Sequence, residues 1–466
     1  MKKKNLEYKK YFIKLTLILE KLNNKFLFYI PDLYKIDLRK DKIPYTALRL
    51  NFFKLFRKNY LYEDIEKVKK AKLCFISHYV GNKTRDKDDD FYYGNFFKNF
   101  KLRLPFYVLM INHTDQSLDE IKKKFVGSSI TRVYINNNFN LIFDMYILVK
   151  IIKEYLYFSI IKILNVKKIN IINKIQLIFD LKLFFSSRFT LKISNQVINV
   201  LNKSGNLKYV MTTFEGHAFE RIVFNYCKEK RIKSFAYFFS VIRQYKNNIY
   251  YKFIKNYEPD IIFTSGDVAN NDLKLNSHHK NIKTLGGNKN LFIKNGFNIL
   301  KNKKKLIILV CPEGILNETI QMFKLINNNK LDDNNFEFIF RTHPVLNIFS
   351  ELKKYKINKN IIFSKEKDIK NDFKKSDIIL YSGSSVCVQA IKYGLVPVNY
   401  QNKIYNFSLD PLYKINKFVI NDSISLKLKI YLIYKKRFSS DFKKSIYIIK
   451  KYCNSYFKDL DQNVFI

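Results

Sequence analysis

Short apolar runs alternate with helical patterns through most of this chain, and that rhythm limits the fold more than any other feature. Leu73-Cys-Phe-Ile-Ser77, Pro105 to Ile111 and Tyr209-Val-Met-Thr-Thr213 read as strands. A helical pattern follows from about Ala218 to Lys230, then strands at Lys233 to Phe238 and Ile261 to Thr264. Leu306-Ile-Ile-Leu-Val310 is apolar enough to be buried on both faces, as strands of a parallel sheet are. A helix near Glu318 to Leu325 and strands at Phe336–Phe340, Asn360–Phe363, Asp377–Tyr381 and Val396–Tyr400 continue the series. Strands alternating with helices build βαβ units around parallel sheets. Glycines, asparagines and a lysine run break the pattern from Gly286-Gly287 to Lys305. The expected fold class is α/β with two Rossmann-like lobes, residues 1–295 and 296–423. A helix-forming tail over 424–466 is expected to pack back across the lobes.

The stretch from Asp377 to Gly394 is the most informative about function. It runs apolar strand, hydroxyl-rich turn, then a helix ending at glycine. The turn Ser382-Gly383-Ser384-Ser385 falls at the C-terminal end of a strand and opens a helix. Backbone N–H groups and the positive end of the helix dipole favour an anion there, and open α/β sheets bind phosphate-bearing ligands at this edge. Serines also cap helices for structural reasons alone, so both readings stand.

Other strand ends add polar groups. Phe340-Arg-Thr-His-Pro344 puts Arg341 and His343 at a strand's C-terminal end, with Pro344 turning the chain away. A guanidinium beside an imidazole can hold a diphosphate, though a surface loop with a chance histidine would read the same. Val310-Cys-Pro-Glu-Gly314 brings Glu313 and Gly314 to the same edge, where a carboxylate could accept from a ribose or base and where Pro and Gly also make ordinary turns. In the first lobe, Thr212-Thr-Phe-Glu-Gly-His-Ala-Phe-Glu-Arg221 leaves a strand and enters a helix. Glu215 is a candidate general base, His217 could tune or replace it, and Glu220 lies at the helix start. Helix capping is the competing role for Glu215. Asp88-Asp-Asp90 before Phe91-Tyr-Tyr-Gly94 has the form of a metal motif but lacks calcium-loop spacing, and reads as a solvated acidic loop. Asp90, with His78 and Glu220, could line the acceptor side. His113, His278 and His279 show no zinc-ligand spacing, so no metal is expected.

Charge needs separate weighing, because 85 basic residues against 40 acidic give +45. Such an excess suits anionic lipid or phosphorylated substrates. Abundant Lys, Asn, Ile, Phe and Tyr with no Trp equally suit an A/T-rich coding bias. No helix-turn-helix or aromatic-basic RNA pattern supports a nucleic-acid partner. Cys74, Cys227, Cys311, Cys387 and Cys453 are scattered and odd in number, as expected of reduced thiols in the cytoplasm. The greasiest segment, Leu141 to Val166, contains Asp144, Lys150, Lys153, Glu154 and Lys162, too many charges for a spanning helix. It reads as amphipathic or buried. A cytoplasmic protein touching the inner membrane face peripherally is the expectation.

Phe214-Glu215-Gly216, His343-Pro344 and Ser384-Ser385, in that order, resemble the acidic-glycine, HP and serine-pair motifs of GT-B glycosyltransferases of bacterial surface polysaccharide synthesis. The likeness is to the capsule and lipopolysaccharide type that includes Kdo transferases and bacterial sialyltransferases. Phe91-Tyr92-Tyr93-Gly94 and Leu285-Gly286-Gly287 also resemble segments of such proteins. The resemblance implies Glu215 as base, His343 on the donor, Ser384 and Ser385 on its phosphate, a CMP-linked sugar donor, a glycan or glycolipid acceptor and no cofactor. Phe214 stands where several of those enzymes have a second acid, and Phe238-Phe239 where a Gln-His pair is frequent. Glycerol- or ribitol-phosphate transferases of the teichoic-acid type carry similar HP and serine elements. A non-catalytic basic protein binding membrane or nucleic acid is the alternative outside enzymology.

Overall fold

The computed structural model describes residues 58–81, 86–98, 104–137, 140–164, 177–239, 249, 255–287, 296–300, 305–313, 316–328, 335–343, 346, 348–352, 354–401, 410–461 and 463. By its contacts the chain forms two compact units. One takes residues 1–239, 248–263 and 276–283, the other 240–247, 264–275 and 284–466.

The first unit is built on β1 (Tyr60–Tyr62), α1 (Ile65–Lys70), β2 (Leu73–Tyr79), β3 (Phe106–Asn112), α2 (Leu118–Lys124), β4 (Arg132–Asn136), α3 (Leu141–Leu164), α4 (Leu177–Lys203), β5 (Tyr209–Thr213), α5 (Ala218–Glu229) and β6 (Lys233–Phe238). After these come β7 (Ile261–Thr264), α6 (Asp267–Asn276), whose residues up to Leu275 belong to the second unit, and β8 (Ile282–Thr284). The strands form one sheet in the order β1-β4-β3-β2-β5-β6-β7-β8. Counted from β2, this is the doubly wound Rossmann order, with neighbours β4 to β6 parallel and β1 antiparallel at the edge. Every residue of β2 is buried, as expected for a central strand covered on both faces. Ile76, Leu109 and Val133 pack on Val197, Val223 and Cys227. Local chemistry sets the helix starts: Asp64 accepts from the Lys67 N–H, and Ser117 and Glu120 form a capping box.

Helix α3 departs from the usual polarity. The sequence predicts an amphipathic or buried helix, yet Ile142, Met145, Tyr146, Val149, Ile152 and Leu156 are exposed. Its inner face instead holds Asp144 in a buried ion pair with Lys192 of α4, at 2.8 Å. Among the described residues no helix is long and apolar enough to cross a membrane.

The second unit adds β9 (Leu306–Cys311), α7 (Leu316–Asn327), β10 (Phe336–Phe340), α8 (Phe349–Leu352), β11 (Ile361–Phe363), α9 (Ile369–Lys375), β12 (Ile378–Tyr381), α10 (Val386–Tyr393), β13 (Val396–Tyr400), β14 (Phe418–Ile420), α11 (Ser423–Lys436) and α12 (Ser440–Asn454). Its sheet is parallel throughout, in the order β11-β10-β9-β12-β13-β14, again the Rossmann order. One face of the sheet packs Ile308, Phe338 and Leu380 on Met322 and Ile430; the other packs Leu309, Ile379 and Tyr381 on Val388 and Ile449. The chain that follows α12 straps this unit. Lys458 donates its N–H to the Ser265 carbonyl at 2.9 Å, Gly287 donates to Lys458 at 3.0 Å and Asp461 to Leu285 at 2.8 Å. Gly266 and Gly286 allow the close approach, since a Cβ on either would strike the Tyr456 or Asp459 carbonyl.

Together the two parallel-sheet units and the C-terminal helices constitute a GT-B architecture of two Rossmann lobes. All the cysteines, Cys74, Cys227, Cys311, Cys387 and Cys453, are buried free thiols.

Candidate functional site

In a Rossmann sheet the ligand crevice opens at the C-terminal strand ends where strand order reverses. In the first unit that point lies between β2 and β5, and in the second between β9 and β12. His78 and Glu215 follow or end β2 and β5, and Glu313 and Ser382 follow β9 and β12, beside these two points.

At the end of β5, Gly216 takes φ +80° and lets the chain turn sharply into α5. Glu215 Oε2 lies 3.3 Å from His217 Nε2, and each side chain keeps 21% of its surface exposed. An accessible carboxylate oriented by an imidazole can accept a proton from a bound hydroxyl. Glu220 has a different position from the one expected on the acceptor side. It is fully buried, and its carboxylate accepts the His217 N–H at 2.7 Å and the Glu215 N–H at 3.2 Å. It shapes the turn from beneath, and burial raises its pKa to about 7 despite those bonds.

Phe214, where a second acid occurs in the resembling enzymes, is wholly buried. Its ring meets Phe224 at 5.5 Å and the Arg221 guanidinium at 5.7 Å, so it anchors the turn in the core. His78, at the end of β2, is buried between His113 Nε2 at 2.8 Å and the Thr213 hydroxyl at 3.1 Å. Phe219 lies edge-on to His78 and stacks on His217, joining the two imidazoles through one ring.

The expectation of a solvated loop at Asp88–Asp90 fails. Asp90 is buried, accepting from the Ser77 hydroxyl at 2.7 Å and the N–H groups of Tyr92 and Tyr93 at 2.8 and 2.9 Å. Burial pushes its pKa up while those bonds oppose the shift. Asp88 takes three bonds from Ser128 and Ser129, which hold its carboxyl low against the cost of burial. Asp90 therefore fastens the Phe91–Gly94 loop, whose Tyr92 covers His78 at 5.5 Å and Phe239 at 4.7 Å. Sequence alone could not show this, because the loop's partners come from β2 and from Ser128–Ser129.

A second constellation was missed. Arg221 pairs with Glu258 at 2.8 Å, and His278 and His279 each bring Nε2 to 3.5 Å from that carboxylate. Glu258, His278 and His279 have metal-ligand proximity among the described residues, although sequence spacing gave no such signal for the two histidines. The guanidinium already holds the carboxylate, and burial lowers the pKa of His279 to about 4. The cluster comes from segments leading into β7 and β8, which local spacing does not join.

In the second unit, β9 leads to Glu313, whose carbonyl accepts the Thr319 hydroxyl at 3.0 Å. Gly314 and Pro344 lie outside the described residues. Arg341 turns along its own sheet edge. Its guanidinium ion-pairs with Asp372, donates to the Glu366 carbonyl at 3.0 Å and reaches the Ser364 hydroxyl at 3.3 Å. It braces the loop from β11 to α9 beside the switch point. His343 is half-buried, and burial lowers its pKa, which favours the neutral ring.

At the end of β12, the Ser382 carbonyl accepts from Asn399 at 2.8 Å, which fixes the turn. Ser384 Oγ accepts the Val386 N–H at 3.3 Å, the capping role. Ser385 occupies the N-cap position of α10 without a side-chain cap bond.

Solved structures with a similar fold include the glycotransferase of kitacinnamycin, at a TM-score of 0.51 and 7% identity, covering 83% of this chain and 96% of that one. CalG4, the calicheamicin glycosyltransferase, aligns at a TM-score of 0.50 and 10% identity, covering 83% and 95%. A putative UDP-N-acetylglucosamine 2-epimerase from Listeria monocytogenes aligns at 0.50 and 12% identity, covering 84% and 93%. At these identities the likeness establishes the fold. Transferases and an epimerase share it, so chemistry must be argued from the side chains. No family model and no curated protein matches the chain.

Proposed function

We propose that this chain is a metal-independent glycosyltransferase that moves a sugar from a nucleotide-sugar donor to a growing surface glycan. The observation carrying the proposal is that each Rossmann sheet bears complementary chemistry at its own switch point. The Glu215–His217 pair stands at one, and the serine turn opening α10 at the other. Glu215 takes the proton from the acceptor hydroxyl as its oxygen attacks the anomeric carbon. The nucleotide leaves with its charge held by the α10 dipole, the Ser382, Ser384 and Ser385 hydroxyls and His343. Glu313 contacts the nucleoside. Arg341 acts through the loop it braces. His78 and the Asp90-anchored loop border the acceptor.

A CMP-linked donor is preferred on the motif resemblance. The test is thermal stabilisation by CMP, CDP and UDP, followed by donor turnover with and without a glycan acceptor. Turnover of a CMP-sugar that survives EDTA and falls in Glu215→Gln is the expected result. Isomerisation of a UDP-sugar without acceptor would instead identify an epimerase. Turnover of CDP-glycerol would identify a polyol-phosphate transferase.

A further inference from the structure

We propose that α3 docks the protein on an anionic lipid surface, lying in the plane of the membrane with its exposed stripe in the headgroup region. Ile142, Met145, Tyr146, Val149, Ile152 and Leu156 recur at helical spacing and lie exposed along one face. From 142 to 156 the stripe runs about 21 Å at 1.5 Å per residue. The opposite face carries the Asp144–Lys192 ion pair, with side-chain exposures of only 3% and 2%. The inner face also buries Ile147, so the unusual feature is the outer one: six large apolar side chains left in water on one face of a helix mark an interaction surface. A Lys-rich coding bias does not produce that arrangement, since it concerns which face each residue occupies.

Charge selects what covers the stripe. A second copy would bring another +45, and like charge of that size opposes self-association. Along the stripe itself, Lys150 and Lys153 accompany the apolar residues, and Asp144 is neutralised within the protein by Lys192. Lysines bordering an apolar stripe place their ammonium groups at lipid phosphates while their stems lie along the hydrocarbon. Tyr146, exposed on the same face, suits the boundary between headgroup and acyl chain. Since α3 is not long and apolar enough to span, it lies on the surface.

The experiment is flotation of the full chain with vesicles of phosphatidylcholine alone or mixed with phosphatidylglycerol, and it does not depend on the transferase reading. The wild type is expected to float with the anionic vesicles and to lose binding as salt rises. Val149→Asp with Ile152→Asp should weaken partition by at least about tenfold. Lys150→Glu with Lys153→Glu should weaken it severalfold. As a readout that does not depend on those variants folding, a polarity-sensitive fluorophore on Val149→Cys should shift blue on anionic vesicles. The same fluorophore on Leu275→Cys, exposed in the other unit, should not. Failure of the wild type to float, flotation unchanged by the paired aspartates, or a dimer in light scattering that those aspartates dissociate would each overturn the proposal.

Discussion

The two sheets share one strand order but furnish their switch points differently. In the first unit, His113, His78 and Thr213 form one hydrogen-bonded chain and Glu215 and His217 a charged pair, with the Phe219 ring against both His78 and His217. In the second, the strongest charge, Arg341, is spent on Asp372, and the turn at β12 offers hydroxyls and the start of a helix. On the proposed reading, a common scaffold supports a proton-handling edge and an anion-receiving edge. What separates them is which side chains face inward to brace loops and which remain accessible.

The sharpest way to break this comparison is Glu215→Gln. If the first edge handles protons, turnover at saturating donor should fall about 10²- to 10⁴-fold. Nucleotide-induced thermal stabilisation should be unchanged. A parallel loss of nucleotide binding would mean that the two edges are not specialised. Next in size is Asp372→Ala, which leaves Arg341 without its ion-pair partner. A cost of about 3–5 kcal/mol in denaturant unfolding is expected for breaking a buried pair. Were Arg341 mainly a donor ligand, stability would hold and nucleotide affinity alone would fall.

Glu220 gives a pH signature. Its folded pKa of about 7 exceeds the ordinary carboxylate value of 4.5, so the folded state binds its proton more tightly. Its stabilising contribution is full below about pH 4.5 and is lost as pH rises through about 7, a swing of about 3 kcal/mol. Urea midpoints across that range should flatten in Glu220→Gln. The smallest effects sharpen the second edge. Ser384→Ala should cost about 0.5–2 kcal/mol of stability through its cap. Ser385→Ala should leave stability within about 0.5 kcal/mol and lower nucleotide affinity, both read by thermal shift with and without CMP.

Much of the fold was legible because period and apolarity are local. The helix expected from Ala218 to about Lys230 spans Ala218–Glu229, and the strands at 306–310 and 336–340 form β9 and β10. β1, β8 and β14 escaped notice, since three-residue strands owe their existence to neighbouring chain rather than to their own pattern, and so did the five-residue β4, whose Arg-Val-Tyr-Ile-Asn carries polar ends. The expected helical tail divides at Arg437–Ser439 into α11 and α12, with Ser439 capping the second. Among candidate residues, Glu215 and His217 were readable because their contact is two residues apart. The burial of Asp90, the inward turn of Arg341 and the Glu258 cluster depend on distant segments, and no local pattern encodes them.

The strap over Gly266 and Gly286 has a consequence for the order of folding. Residues 264–275 belong to the second unit, yet they are synthesised long before residues 455–461 that lie against them. Vectorial synthesis lets an N-terminal unit fold first, but this strap cannot close until residue 461 has emerged from the ribosome. Until then the backbone groups of Ser265, Leu285 and Gly287 lack the partners that the strap provides. Birth order and spatial neighbourhood diverge here.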